Sequence, residues 1–181
     1  MTEINQNNTN FVPTAAILTF GCKVNQYDSN AMRSTLIHKG YRIVSETQSA
    51  DVYIVNTCTV TNVADQKARQ IIRRVATKNP QAKVLVTGCY AESDRETLEG
   101  IDGVSLVFGN REKANLDQYL EKIQPNQLSS GLLQIEPVQH DAIREHANFS
   151  LSVADTGDRT RGIIKVQDGC SAFCTYCIIP Y

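Results

Sequence analysis

No stretch of this 181-residue chain is apolar over the roughly 18 to 20 residues that a membrane span needs. The opening residues, MTEINQNNTNFV, lack the basic start and apolar run of a secretory signal. An excess of one charge is missing too: 18 Lys and Arg stand against 19 Asp and Glu, a net charge of −1. That excludes a global pull toward nucleic acid and leaves local patches as the route to any RNA contact. Neither a solenoid-type repeat nor a long low-complexity tract is present. Histidine is scarce, and none of His38, His140 and His146 stands at a spacing that supports a structural zinc site, so all three are read as solvated. The expected location is cytoplasmic, with no membrane partner. There, six cysteines point to metal or redox chemistry rather than disulfides. The chain is also long and apolar enough not to need stapling.

What remains is ordinary globular material, 41% hydrophobic and 20% charged, enough for one sizeable domain and a small remainder. After a polar tail over residues 1–13, four near-continuous apolar runs are rich in Val and Ile: Ala15 to Phe20, Asp51 to Asn56, Lys83 to Gly88 and Val104 to Gly109. Such runs suit strands buried on both faces, as in a parallel sheet. Between them lie helical patterns. Asp28 or Ser29 is the expected cap of a helix carrying Met32, Leu36 and Ile37 and ended by Gly40. Ala64, Ala68, Ile71, Ile72, Val75 and Ala76 form one apolar stripe of a second helix, with Pro80 just beyond. Weaker helices are expected near Asp94 to Leu98 and Lys113 to Ile123. The alternation predicts an α/β domain over residues 14–123 with a doubly wound, mostly parallel sheet. Residues 124–160 read as a linker with one or two short strands, and Gly162-Ile-Ile-Lys-Val-Gln as a strand opening a second domain at 161–181.

The cysteines fall into two groups of three. Cys170, Cys174 and Cys177 form a CxxxCxxC loop with Tyr176 before the last thiol. Three thiolates on one loop hold three irons of a cubane and leave the fourth open to a small molecule. Cys22, Cys58 and Cys89 match no local metal motif, yet each lies just past the expected carboxyl end of a strand, with a helix soon after. In an open parallel sheet those ends converge on the edge where ligands bind. Helix N-termini and turn N–H groups there favour thiolate and stabilise an anionic cluster. A single cysteine at a strand end is more often simply buried. Three at equivalent ends, flanked by Gly, Asn or Thr, favour ligation.

Taken together, Gly21-Cys22-Lys23-Val24-Asn25, Asn56-Thr57-Cys58-Thr59-Val60-Thr61, Thr87-Gly88-Cys89-Tyr90-Ala91 and the run from Lys165 to Tyr181 resemble the motifs of the radical S-adenosylmethionine (SAM) methylthiotransferase family. The GCKVN segment most resembles the branch acting on threonylcarbamoyladenosine next to the anticodon of tRNA. Sister branches act on isopentenyladenosine in tRNA or on an aspartate of a ribosomal protein. The resemblance implies one [4Fe–4S] cluster on Cys170, Cys174 and Cys177, whose open iron chelates SAM and generates the radical that attacks C2 of the target adenine. It implies a second, auxiliary [4Fe–4S] cluster on Cys22, Cys58 and Cys89 that delivers sulfur, and it places Tyr176 beside the SAM adenine. An alternative role for Tyr176 is to wedge the cluster loop against the barrel. Implied partners are tRNA and an electron donor such as a flavodoxin-type reductant. The resemblance also implies that residues 161–181 begin a (β/α) barrel cut short at Tyr181, so that the chain is a fragment inactive alone.

Two basic features carry weaker expectations. Lys67, Arg69, Arg73, Arg74 and Lys78 make the second helix basic away from its apolar stripe, a face that is either solvated or in contact with RNA phosphates. Arg159 and Arg161 precede the second cysteine group and are candidate contacts to RNA or cofactor. The competing readings are a stand-alone iron–sulfur redox module and a zinc-binding interaction domain.

Overall fold

The computed structural model of the chain describes residues 12–59, 62–123, 162–167 and 169–177. Residues 1–11 of the expected tail over 1–13, the linker and its short strands, His140, His146, Arg159 and Arg161 lie outside them. Five strands, β1 (Thr14–Thr19), β2 (Arg42–Ile43), β3 (Val52–Thr57), β4 (Lys83–Gly88) and β5 (Val104–Val107), form one sheet in the order β2-β1-β3-β4-β5. All four pairings are parallel. The apolar runs become strands because their β-branched side chains are buried on both faces of the pleat. Ala16, Leu18, Tyr53, Val55, Val84 and Val86 enter one core, while Ala15, Val52, Ile54 and Leu85 enter the other.

Helices cover both faces. Met32 and Leu36 of α1 (Lys23–His38) and Leu116, Tyr119 and Leu120 of α5 (Leu116–Lys122) fill one side. Ala68, Ile72 and Val75 of α2 (Asn62–Lys78), Tyr90 and Ala91 of α3 (Cys89–Ser93) and Leu98 of α4 (Arg95–Glu99) fill the other. Parallel crossovers are right-handed, so the connection through α1 builds the sheet one way from β1 and the connection through α2 builds it the opposite way from β3. The direction therefore reverses between β1 and β3, the place where such sheets open a ligand crevice at their carboxyl edge. Each large side chain fully buried in these cores contributes about 1.5–3 kcal/mol.

The elements expected within residues 14–123 are found, with corrections. The helix expected to start at Asp28 or Ser29 begins at Lys23, with Cys22 at its N-cap position in extended conformation and making no side-chain cap. Its buried residues are Asn25, Tyr27, Ser29, Met32 and Leu36, and Asn25 and Ser29 meet the strand ends through hydrogen bonds that an apolar pattern does not register. Ile37 is 51% exposed and lies outside that buried set. Gly40 does end the helix. At φ +82° it lets its own N–H reach the Ile37 carbonyl and the Tyr41 N–H reach the Leu36 carbonyl, a Schellman closure. The two-residue β2 and the one-turn α3 were not foreseen, and the expected helix from Lys113 is a 3₁₀ turn over Arg111–Asn115 followed by α5. Asp94 proves to be the cap of α4, accepting from the Thr97 N–H at 3.2 Å.

Residues 162–167 form no strand. Ile164 and Val166 are 78% and 86% exposed, and a strand without a neighbour leaves its N–H and C=O groups unpaired and its apolar face in water. The sequence pattern there is right for a strand, but the partner is missing among the described residues.

Candidate metal centre

Gly21, at φ +94°, turns the chain out of β1 in a conformation that favours glycine and sets Cys22 at the head of α1. Cys58 follows the last residue of β3 directly, and Cys89 follows the last residue of β4 as the first residue of α3. Because Thr57 pairs with Gly88 in the sheet, Cys58 and Cys89 emerge side by side from adjacent strands, whose axes lie about 4.8 Å apart. Gly21 packs on Cys58 from the other side: a Cβ added there falls 2.5 Å from the Cys58 Cβ and 2.6 Å from its Sγ. The three strand-end cysteines thus gather at one edge of the sheet, at the reversal between β1 and β3 and on its β4 flank.

A buried polar brace holds these ends. Asn25 Nδ2 donates to the carbonyls of Phe20 and Thr57, both at 2.8 Å, tying the exit of β1 to the exit of β3. Asn56 Nδ2 donates to the Asn25 carbonyl at 2.9 Å and to Ser29 Oγ at 3.0 Å, and Ser29 Oγ also receives the Thr19 hydroxyl at 2.8 Å. Thr57 Oγ1 donates to the Thr87 carbonyl at 2.6 Å, joining β3 to β4. Each of these polar groups left unpaired here would cost about 1–3 kcal/mol, so the network fixes the positions from which the thiols project. Sequence reasoning noticed the Gly, Asn and Thr flanking the cysteines but assigned them no role. Their signal is a polar residue at the end of an otherwise apolar strand.

All six cysteines are free. Cys89 senses the other two strand-end thiols. Burial pushes the Cys89 thiol above its ordinary value, the neighbouring Cys58 and Cys22 push it further, and Lys113 opposes them. The expectation that helix ends and turn N–H groups would favour thiolate is therefore reversed at Cys89, where burial wins and the five-residue α3 is too short to offset it. In the metal-free chain the unfolded Cys89 ionises first as pH rises. The unfolded state then holds fewer protons, and stability is expected to fall through and above the ordinary thiol range. Urea denaturation from about pH 7 to about pH 10 measures that slope, and Cys89→Ser is expected to flatten it.

The donor set suits an iron–sulfur cluster. Among the described residues, no three His, Cys, Asp or Glu side chains converge on a single metal ion. A cubane asks for something different, since it takes each thiolate on a separate iron and needs three thiols around one opening. The sheet edge supplies Cys22 exposed, Cys89 half-buried and Cys58 buried at the back. A bound cluster would also draw the Cys89 proton off, because only thiolate ligates.

The second cysteine group lies on a loop of its own. Cys170 and Cys174 are exposed and Cys177 is half-buried. The Cys177 N–H donates to the Cys174 carbonyl at 3.0 Å and the Ala172 N–H points to Cys170 Sγ at 3.5 Å, while Phe173 takes a left-handed φ of +49°. Tyr176 is 91% exposed. Nothing among the described residues wedges it.

Of the five basic residues foreseen on α2, Lys67, Arg73, Arg74 and Lys78 are exposed. Arg69 is a correction: it turns inward, stands over the Tyr90 ring at 5.7 Å and hydrogen-bonds the Tyr90 hydroxyl. Tyr90 is buried beside Cys89, so this cation serves packing behind the thiol and not the outer face. His38 is exposed and donates through Nδ1 to the Ser34 carbonyl at 2.8 Å, as expected of a solvated histidine. No described helix is long and apolar enough to cross a membrane.

Comparison with known proteins adds an independent line. A family model described as "Uncharacterized protein family UPF0004" matches residues 14–109. A threonylcarbamoyladenosine tRNA methylthiotransferase of Bacillus subtilis is 40% identical over 172 residues, covering 93% of this chain and 36% of that protein. Its namesake from Aquifex aeolicus is 38% identical, over 92% of this chain and 39% of that protein. A tRNA-2-methylthio-N(6)-dimethylallyladenosine synthase of Syntrophobacter fumaroxidans is 32% identical, over 91% of this chain and 36% of that protein. The chain thus spans little more than a third of the length of these relatives.

Proposed function

The chain belongs to the family described as "Uncharacterized protein family UPF0004", and from that premise we propose that it is the cluster-bearing front portion of a radical SAM methylthiotransferase acting on threonylcarbamoyladenosine in tRNA. The observation that carries this reading is the gathering of Cys22, Cys58 and Cys89 at one braced sheet edge, together with a separate CxxxCxxC loop in the same chain. A stand-alone redox module needs only one such group, and a structural zinc site needs four ligands closed around one ion.

In this reading Cys22, Cys58 and Cys89 hold an auxiliary [4Fe–4S] cluster and Cys170, Cys174 and Cys177 hold a second. When bound, the second supplies reductive activation of SAM and the auxiliary one supplies sulfur chemistry. The protein's own part is to place thiols. Asn25 and Asn56 fix the exits of β1 and β3, and Thr57 fixes β3 against β4. Tyr176, exposed beside Cys177, presents an aromatic face to SAM. The reductant is a flavodoxin-type donor, and tRNA is the polymeric substrate. The substrate branch follows the relatives: identity to the threonylcarbamoyladenosine enzymes is 34–40%, against 32% for the dimethylallyladenosine enzyme.

Nucleoside mass spectrometry of tRNA from a strain lacking the gene tests the branch. Loss of 2-methylthio-threonylcarbamoyladenosine with the isopentenyl counterpart intact is the expected result. The opposite pattern moves the protein to the sister branch.

A further inference from the structure

Asp28 stood in the sequence as a candidate helix cap. In the structure it sits inside α1 with its carboxylate shared between two lysines from distant parts of the chain. Lys113 Nζ lies 2.8 Å from Oδ2 and Lys165 Nζ 3.2 Å from Oδ1. The three side chains are only 11%, 9% and 12% exposed, so this is a largely desolvated triad and not a surface pair. Two ammonium groups brought together out of water repel one another unless an anion stands between them. Asp28 is that anion, shared by both lysines.

The location gives the triad its meaning. Asp28 lies six residues along α1 from Cys22, roughly 9 Å at the helical rise. Lys113 belongs to the 3₁₀ turn after β5, and its charge reaches Cys89. Lys165 precedes Cys170 by five residues, and five residues of chain span at most roughly 17 Å. We propose that Asp28, through its shared bond to Lys113 and Lys165, is a positioning residue that clamps the CxxxCxxC segment to the sheet edge carrying Cys22, Cys58 and Cys89. No strand pairing anchors the segment among the described residues: 162–167 form no strand, and Ile164 and Val166 face water. The clamp acts on thiols and backbone whether or not clusters are bound, so it goes beyond the proposed reaction and its failure leaves that reading untouched.

Hydrogen–deuterium exchange of the full chain, read by peptide, tests the clamp. Asp28→Asn is expected to speed exchange across residues 162–177 by about tenfold relative to the unsubstituted chain. Asp28→Glu, which keeps the charge, is expected to restore most of the protection. Lys165→Met leaves the Asp28–Lys113 pair intact and guards against a variant that merely unfolds. It is expected to release the same segment while exchange in β1, β3 and β4 stays unchanged. In the double variant the effects are expected not to add, since both substitutions open one link. Protection of 162–177 that survives Lys165→Met, or effects of the two substitutions that simply add, overturns the proposal.

Discussion

Replacing Cys22, Cys58 and Cys89 together by alanine is expected to remove about half the iron of the full protein, because under the proposed function one of two four-iron clusters loses all its protein ligands. Reductive SAM cleavage is expected to survive, since the CxxxCxxC loop is untouched, while methylthiolated nucleoside disappears. The fold tolerates the change: Cys22 is exposed and Cys89 half-buried, and only Cys58 leaves a small void at a strand end. The informative result is therefore a split. If SAM cleavage vanished while the iron stayed, the two cysteine groups would have their roles exchanged. Iron analysis and an anaerobic SAM-cleavage assay on one preparation decide it.

The second large effect concerns glycine. At Gly88, φ is +100° and an added Cβ falls 2.2 Å from the Thr57 carbonyl oxygen and 2.6 Å from its nitrogen. That neighbour is the central strand of the sheet and cannot yield. Gly88→Ala is expected to cost more than about 4 kcal/mol, enough to unfold the domain. At Gly21 the collision is with the Cys58 side chain, at 2.5 Å from its Cβ, and φ is +94°. Gly21→Ala is expected to cost about 2–3 kcal/mol and to displace Cys58, so that auxiliary iron is lost from a chain that still folds. Gly40, at φ +82°, has nothing within 4 Å of an added Cβ. Gly40→Ala carries backbone strain alone, about 1 kcal/mol, with full iron retained. Urea denaturation alongside iron content separates the three. A Gly21→Ala chain with its full complement of iron would mean that Cys58 does not ligate.

These contrasts also show what could be read from the chain. Strands buried on both faces announce themselves as unbroken Val and Ile runs, so β1, β3, β4 and β5 were legible, and with them the strand-end placing of the cysteines. The first half of α1 was not. Its first buried residues include Asn25 and Ser29, polar groups spent on bracing the cysteine edge, and a search for apolar periodicity starts the helix too late. The site thus concealed the element that supports it. The strand expected at 162–167 failed for the complementary reason: Ile164 and Val166 alternate correctly, but pairing depends on a neighbour that no local pattern specifies. Arg69 likewise looked like part of a basic face until Tyr90, 21 residues away, claimed it. Asp28 is the extreme case, since its partners Lys113 and Lys165 lie 85 and 137 residues away.

The central claim is that two thiol groups in one chain hold two cubane clusters. Anaerobic reconstitution followed by iron, sulfide and zinc analysis of the unsubstituted full-length protein tests it most directly and sets the baseline for the cysteine and glycine variants. The expected result is about eight irons and about eight sulfides per chain, with no stoichiometric zinc. One zinc per chain with no iron would contradict it.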